Sequence, residues 1–486
     1  MIDIDVRIHD KFSVEFKTSF VVDKNSDKDD FIMNTWIFVP NSLDINSESY
    51  PKYHFYRDVK SHIRLITPKY SLEELANDDA YPYLFLQVAF NELVAEPSEI
   101  NMAEVEYQIK MFISIVKSAL RQAGLQLLNL QTCEERAEAV SQYVQNLEKI
   151  TILYRDLRQI LENADFSQKS LTCFSLGDEF FSNRIEHKTY ELIRIIKAKY
   201  PEEAKKLNIE LLALIKKERK YKQSRGYEVF QKSTPDKNSE LLYRLRLLKK
   251  YIENHLFLNA KKKKDGRLAQ QLSVSMAAGL AMVFATIIAF SAQQKYGNFT
   301  TPLFVVLVFS YMLKDQIKER ARAYFAAKVS KKYFDNKTEI SIKKTPLGWI
   351  KEGVDFIPLA KLPEEVIEKR DHTNLLESDH ENVVEKIIQY RKLVRINGKI
   401  LDDNIQYDVA GINDIFRFNL YSFVMKMNDP IISLFVPDKE EGCDAFSGKF
   451  VYYINFIIQL KHNDYTEYKR FRLVVSRDGI ERIDKL

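Results

Sequence analysis

From Leu272 to Ala292 the chain reads LSVSMAAGLAMVFATIIAFSA, without one charged side chain, and a second apolar run, TPLFVVLVFSYML, follows from Thr301 to Leu313. No other feature restricts the fold as much, because a stretch this long and apolar calls for a core or a bilayer around it. As a helix the first run spans roughly 31 Å, about the thickness of a hydrocarbon core. The second, counted from Phe299, reaches about 22 Å and needs local thinning or snorkelling by Lys314 to cross. Between them lies QQKYGN, Gln293 to Asn298, with Gly297 and Pro302 as helix breakers. A turn this short makes the two helices antiparallel neighbours. The expectation is a two-helix transmembrane hairpin in mid-chain; the plainer alternative is a buried helical hairpin in a large soluble protein.

The flanks carry the orientation. Lys261, Lys262, Lys263, Lys264 and Arg267 stand before the first run, Lys314, Lys318, Arg320 and Arg322 follow the second, and the turn has Lys295 alone. The positive-inside rule then places both long flanks in the cytoplasm of a plasma or inner membrane. Each basic residue near an anionic leaflet contributes on the order of 1 kcal/mol, so anionic headgroups are the expected partner of these side chains. The opening segment MIDIDVRIHDK is polar and alternating rather than signal-like, and the internal hairpin is expected to direct its own insertion. The sequon Asn298-Phe299-Thr300 lies too close to the expected bilayer to be reached for glycosylation.

Along the first run Ser273, Ala277, Ala281, Ala285 and Ala289 recur every four residues, flanked by Gly279. In lipid, small residues matter because they let helix backbones approach closely. The stripe is expected to pack the second helix or other copies of the chain as a homo-oligomer. Plain abundance of alanine, a good helix former, produces the same pattern.

A chain of 486 residues suggests two to four units, and 45% hydrophobic content with mean hydropathy −0.30 fits globular domains plus a small membrane part. The net charge of +5 is concentrated around the hairpin, and a membrane surface accounts for it without invoking nucleic acid. Cys133, Cys173 and Cys443 are too scattered for a disulfide or zinc framework. The composition, rich in Lys, Ile, Asn, Phe and Tyr, fits a bacterium.

The fold expected is an α+β integral membrane protein in four segments. Residues 1–100 read as a small β-rich unit, from the alternation Phe12, Val14, Phe16 and the runs NTWIFVP, HIRLIT and YLFLQVAF, the last also compatible with helix. Residues 101–258 read as helical. One helix runs from Asn101 to Gly124, and Thr132 and Glu135 form a capping box before another. In that helix Val140, Val144, Leu147, Ile150, Tyr154, Leu157 and Leu161 fit a bundle or a short coiled coil. Residues 259–335 hold the hairpin with its basic flanks and a cytosolic helical extension. Residues 336–486 read as a sandwich-like β domain, with Asn397-Gly398 as a hairpin turn and strong strands in KFVYYINFIIQL and YKRFRLVVS.

Chemistry is sparse. No phosphate-binding glycine loop, zinc-protease motif or nucleophile elbow occurs, and no catalytic residue, metal ligand or cofactor is assigned. Asp371, His372, Asp379, His380 and Glu381 could hold a metal or move protons, though a polar connector explains them equally. Asp178, Glu179, Glu186 and His187 read as capping and surface residues near a helix start. The function expected is a non-enzymatic, membrane-embedded scaffold, sensor or effector that receives a cytosolic protein partner and acts by assembling in the bilayer. Pore formation or membrane perturbation, as in bacterial defence, is one form of it. The rivals are a membrane-tethered enzyme using the 371–381 cluster and a nucleic-acid binder using Tyr468, Lys469, Arg470, Phe471 and Arg472.

Overall fold

The structure, a computed structural model, describes residues 1–163, 168–230, 235–297, 300–370, 385–438 and 442–486. In chain order it begins with β1 (Ile2–Asp10), β2 (Ser13–Val21), β3 (Asp29–Val39), α1 (Lys52–Asp58) and β4 (Val59–Leu65). A helical stretch follows: α2 (Leu72–Leu75), α3 (Tyr81–Ala95), α4 (Glu99–Leu128), α5 (Cys133–Asn163), α6 (Gln168–Lys199), α7 (Ala204–Ser224) and α8 (Pro235–Glu253). Then come β5 (Asn259–Lys264), α9 (Arg267–Tyr296), α10 (Thr301–Lys332), β6 (Asn336–Ile342), β7 (Thr345–Ile357) and α11 (Glu364–Arg370). The chain closes with β8 (Lys386–Ile396), α12 (Gly398–Asp403), β9 (Gly411–Asn419), α13 (Tyr421–Val424), β10 (Ile431–Asp438), β11 (Gly442–Lys449), β12 (Tyr452–His462), β13 (Tyr465–Ser476) and β14 (Gly479–Lys485).

Two compact units result. The first comprises 1–64, 258–406 and 411–486, the second 65–257 and 407–410. The first is built on an eight-stranded sheet of order β14-β13-β12-β3-β8-β7-β6-β5 and a four-stranded sheet of order β1-β2-β9-β4. Their inner faces meet through Phe16, Phe416 and Ile4 on one side and Phe456, Tyr390 and Met33 on the other. Phe16 lies 5.2 Å from Phe456 and Phe416 stacks on Tyr390 at 5.2 Å, ring pairs that tie the sheets face to face. The opposite face of the large sheet is covered by α11, where Val366 packs with Trp36, Phe38, Ile387 and Ile457.

The expected separate β-rich unit at 1–100 is therefore corrected. β3 is hydrogen-bonded between β12 and β8, and β2 between β1 and β9, so the sandwich is made from both ends of the sequence. Alternation marks a strand but not its partner, which is chosen by burial across several hundred residues. The run YLFLQVAF is helix α3. Asn397-Gly398 is no hairpin turn: the Asn397 side chain accepts the Ile400 N–H at 2.9 Å and caps α12.

The second unit is a helical bundle. Thr132 and Glu135 exchange two 3.2 Å bonds at the start of α5, the reciprocal cap written in their spacing. Val140, Leu147, Ile150, Tyr154, Leu157 and Leu161 are all buried. Tyr154 stacks on Phe174 at 4.8 Å and on Phe112 at 5.8 Å, a bundle interior rather than a two-stranded seam. α4 runs on through Gly124 to Leu128. In α6, Gly177 is required by close approach: a Cβ there would lie 2.6 Å from the Tyr154 hydroxyl and 2.8 Å from Ile109 Cγ2. Gly177→Val is expected to lower the unfolding free energy by about 1–3 kcal/mol despite its better helix propensity. A lower urea midpoint at unchanged slope would register it.

Candidate membrane-contact hairpin

α9 and α10 form an antiparallel helical pair. Gly297, at φ 73°, ends α9, and the Ser310 Oγ meets the Ala285 carbonyl at 3.5 Å. That contact sets the levels of the two helices. With equal rise per residue, Lys314 to Arg322 run alongside roughly Ala281 to Ser273. Lys314, Asp315, Lys318, Glu319, Arg320 and Arg322 thus flank the first half of the apolar run. The stretch over which both helices are apolar is only about 20 Å.

The two-helix transmembrane hairpin is corrected on this ground. Among the described residues, only α9 is long and apolar enough to cross a membrane. α10 is a continuous helix whose apolar part stops at Leu313 and whose remainder is charged.

Of the small-residue stripe, Ala277 and Ala281 are fully buried and Ser273, Ala285 and Ala289 half-buried, on the face of α9 turned to α10. The opposite faces are bare. Leu272, Leu280, Ile287 and Phe290 on α9, and Phe304 and Tyr311 on α10, are more than half exposed. Monomeric soluble proteins rarely leave apolar patches larger than a few hundred Å² in water.

The basic residues divide by environment. Lys261 to Lys264 lie in β5, the edge strand of the large sheet. Lysines on an edge strand discourage pairing with other chains. Lys263 binds Glu339 at 2.7 Å and Lys262 binds Glu352 at 3.2 Å. Arg267 and Arg320 are exposed, Lys318 is half-buried, and Lys314 lies 3.5 Å above the Tyr311 ring. Arg322 pairs at 3.8 Å with Glu319.

The base of the hairpin is held firmly. β5, just before α9, pairs antiparallel with β6, just after α10. Asp265 binds Lys351 at 3.1 Å and accepts the Phe334 N–H at 3.3 Å. Asp335 receives Lys52 at 2.9 Å, the Tyr56 hydroxyl at 3.0 Å and the Val354 N–H at 2.8 Å. Gly266 starts α9 at φ 65°, where a Cβ would strike the Tyr333 ring at 2.6 Å.

Behind this base lies a charge cluster that sequence reasoning missed. Lys392, wholly buried on β8, faces Glu352 on β7 at 3.6 Å and pairs with Asp414 on β9 across the sandwich. The Tyr390 hydroxyl donates to Glu352 at 2.7 Å and Ser61 to Asp414 at 2.7 Å. Burial works against the lysine charge, yet Asp414 and Glu352 outweigh it and raise its pKa. Burial likewise opposes ionisation of Glu352, but Lys392 and Lys262 hold its carboxyl below the usual range. The only sequence signal was a lysine in phase with buried Tyr390 and Val394.

In the helical unit, Asp178 and Glu179 sit mid-helix and buried, not at a helix start. Arg155 bridges Asp178 at 3.1 Å and Glu218 at 2.8 Å, and Arg244 grips Glu179 through two 2.6 Å bonds. Glu186 pairs with Lys222. The cluster from Asp371 to Glu381 lies outside the described residues. In β13, Lys469 is tied to Asp3 at 2.7 Å. No group of residues that could hold a metal ion is found among the described residues. Comparison with protein-family models, curated proteins and solved structures finds no match.

Two outcomes follow from the electrostatics. Lys392→Met leaves two buried carboxylates facing each other and is expected to cost about 3–5 kcal/mol, read by chemical unfolding. The further change Asp414→Leu should recover part of that loss. Burial pushes the His255 imidazole down to about 4. Between its ordinary value near 6.5 and that level, the unfolded chain takes up a proton that the folded chain refuses. Stability is therefore expected to fall as pH drops from about 6.5 to about 4, by on the order of 3 kcal/mol, and to be level in this respect above 6.5. His255→Gln should flatten that slope in melting curves taken across the range.

Proposed function

We propose that the protein attaches to a lipid bilayer through α9 and the apolar start of α10, and acts there as a non-enzymatic, oligomeric scaffold or effector. The observation that carries this reading is the bare apolar surface of the hairpin, with Phe290 and Phe304 each 67% exposed at its far end. Burying such surface is worth about 25 cal/mol per Å².

The short length shared by the two apolar helices suits insertion from one face of the bilayer. Both chain flanks would then stay on that face, and the basic residues at the base support reading it as the cytoplasmic one. In that arrangement Arg267, Arg320 and Lys318 would meet anionic headgroups. At the far end Gln294 and Lys295 need polar partners in lipid, and other copies of the hairpin supply them. Assembly of this kind thins or opens the bilayer locally, which is the route to an effector role.

Flotation with vesicles of phosphatidylcholine and phosphatidylglycerol tests the attachment. The full chain is expected to float, and Leu280→Glu with Phe290→Glu to stay below, with unchanged secondary structure. A wild-type chain that remains monomeric in water without detergent would sink the reading. Ala281→Leu with Ala285→Leu fills the α9–α10 contact and is expected to change the size of the detergent-extracted particle. An unchanged particle would remove the stripe from the assembly.

A further inference from the structure

On the outer face of the four-stranded sheet there is a second place with chemistry of its own, independent of the membrane reading. A cleft of about 600 Å³ is lined by His9, Asp10 and Ser13, by Arg417 and Asn419 of β9, by Arg57, Asp58 and Lys60, and by Tyr421 and Ser422. Its volume lies in the range of small-molecule sites, but its walls are polar.

The acids of the cleft are already committed. Asp10 accepts the Phe12 N–H at 2.9 Å and is bonded by Ser13. Asp58 accepts the Ser422 hydroxyl at 2.8 Å and the Tyr50 hydroxyl at 3.0 Å. Glu15, beneath the floor, takes the Arg417 Nε at 2.6 Å and a second arginine, Arg7.

The cations, by contrast, keep donors in hand. Arg417 uses Nε on Glu15, and its terminal nitrogens have no hydrogen-bond partner among the described residues. Arg57 uses Nε on Asp58 at 3.1 Å and reaches Ser422 only at 3.5 Å. The Lys60 side chain has no hydrogen-bond or ion-pair partner among the described residues. Half-exposed Tyr421, edge-packed by Phe12 at 5.5 Å, offers a flat apolar surface on the same cleft.

We propose that this cleft binds a phosphate-bearing small molecule of nucleotide size, with Lys60, Arg57 and Arg417 on the phosphate and Tyr421 against the rest of the ligand. A phosphate presents several anionic oxygens at once and so uses donors from three separate cations, which a single carboxylate does not. Stacking on Tyr421 gives a ring-bearing ligand its orientation.

Lys60 is the residue to change, because it supports nothing else. The full chain in detergent is titrated calorimetrically with pyrophosphate and with ADP at matched ionic strength, and tested on phosphatidic acid vesicles against neutral ones. Wild type is expected to bind at least one of these phosphates. Lys60→Glu, with an unchanged melting temperature, should weaken that binding about tenfold to a hundredfold. Binding of ADP or pyrophosphate identifies a soluble ligand; a Lys60-dependent preference for phosphatidic acid vesicles alone identifies a headgroup. Absence of binding to all three, or binding that Lys60→Glu leaves unchanged, would overturn the assignment.

Discussion

The pairing of β5 with β6 governs what the apolar hairpin can be. Because the strand that enters α9 and the strand that leaves α10 are hydrogen-bonded neighbours, the excursion must return to its starting point. Asp265 and Asp335 reinforce this from either end, each holding a lysine and a backbone N–H. A helix that alone could cross a bilayer is thereby bound to a partner that turns charged halfway along. The hairpin is an arm fixed at its base and apolar on both helices only beyond that point, up to Ala292.

The same base is continuous with the interior of the sandwich. Lys262 on β5 reaches Glu352, whose other oxygen takes the Tyr390 hydroxyl, and Lys392 connects that carboxylate to Asp414 on the second sheet. Such a cluster adds little net stability compared with an apolar core, but it is intolerant of partial removal. α1 touches both regions of interest: Lys52 and Tyr56 bind Asp335 at the hairpin base, while Arg57 and Asp58 line the polar cleft.

Much of the secondary structure was legible, and the reasons are local. The capping box at Thr132, the alternation in β2, β12 and β13, and the period of α5 are decided within a few residues by backbone geometry and burial of one face. The errors share one cause. Tyr83 to Phe90 could be strand or helix until its neighbours were known, and Asn397-Gly398 could turn a hairpin or cap a helix. In both places the surrounding structure overrode a short pattern. The two-helix transmembrane hairpin failed for the same reason: hydropathy sees each run alone, whereas the contact of Ser310 with Ala285 sets lysines and arginines beside the first half of the long one.

The sequence by itself determined that an apolar hairpin exists, that one face of its first helix is lined with small side chains, and that lysines gather at its base. These are properties of neighbouring residues, carried by composition and helical period. Only the tertiary structure decided that the ends of the chain share one sandwich, that the four lysines form an edge strand, and that Lys392 lies between two sheets. It alone placed Lys60 and Arg417 on one cleft. Such pairings join residues tens to hundreds of positions apart, and burial and hydrogen bonding select them only once the chain has closed on itself.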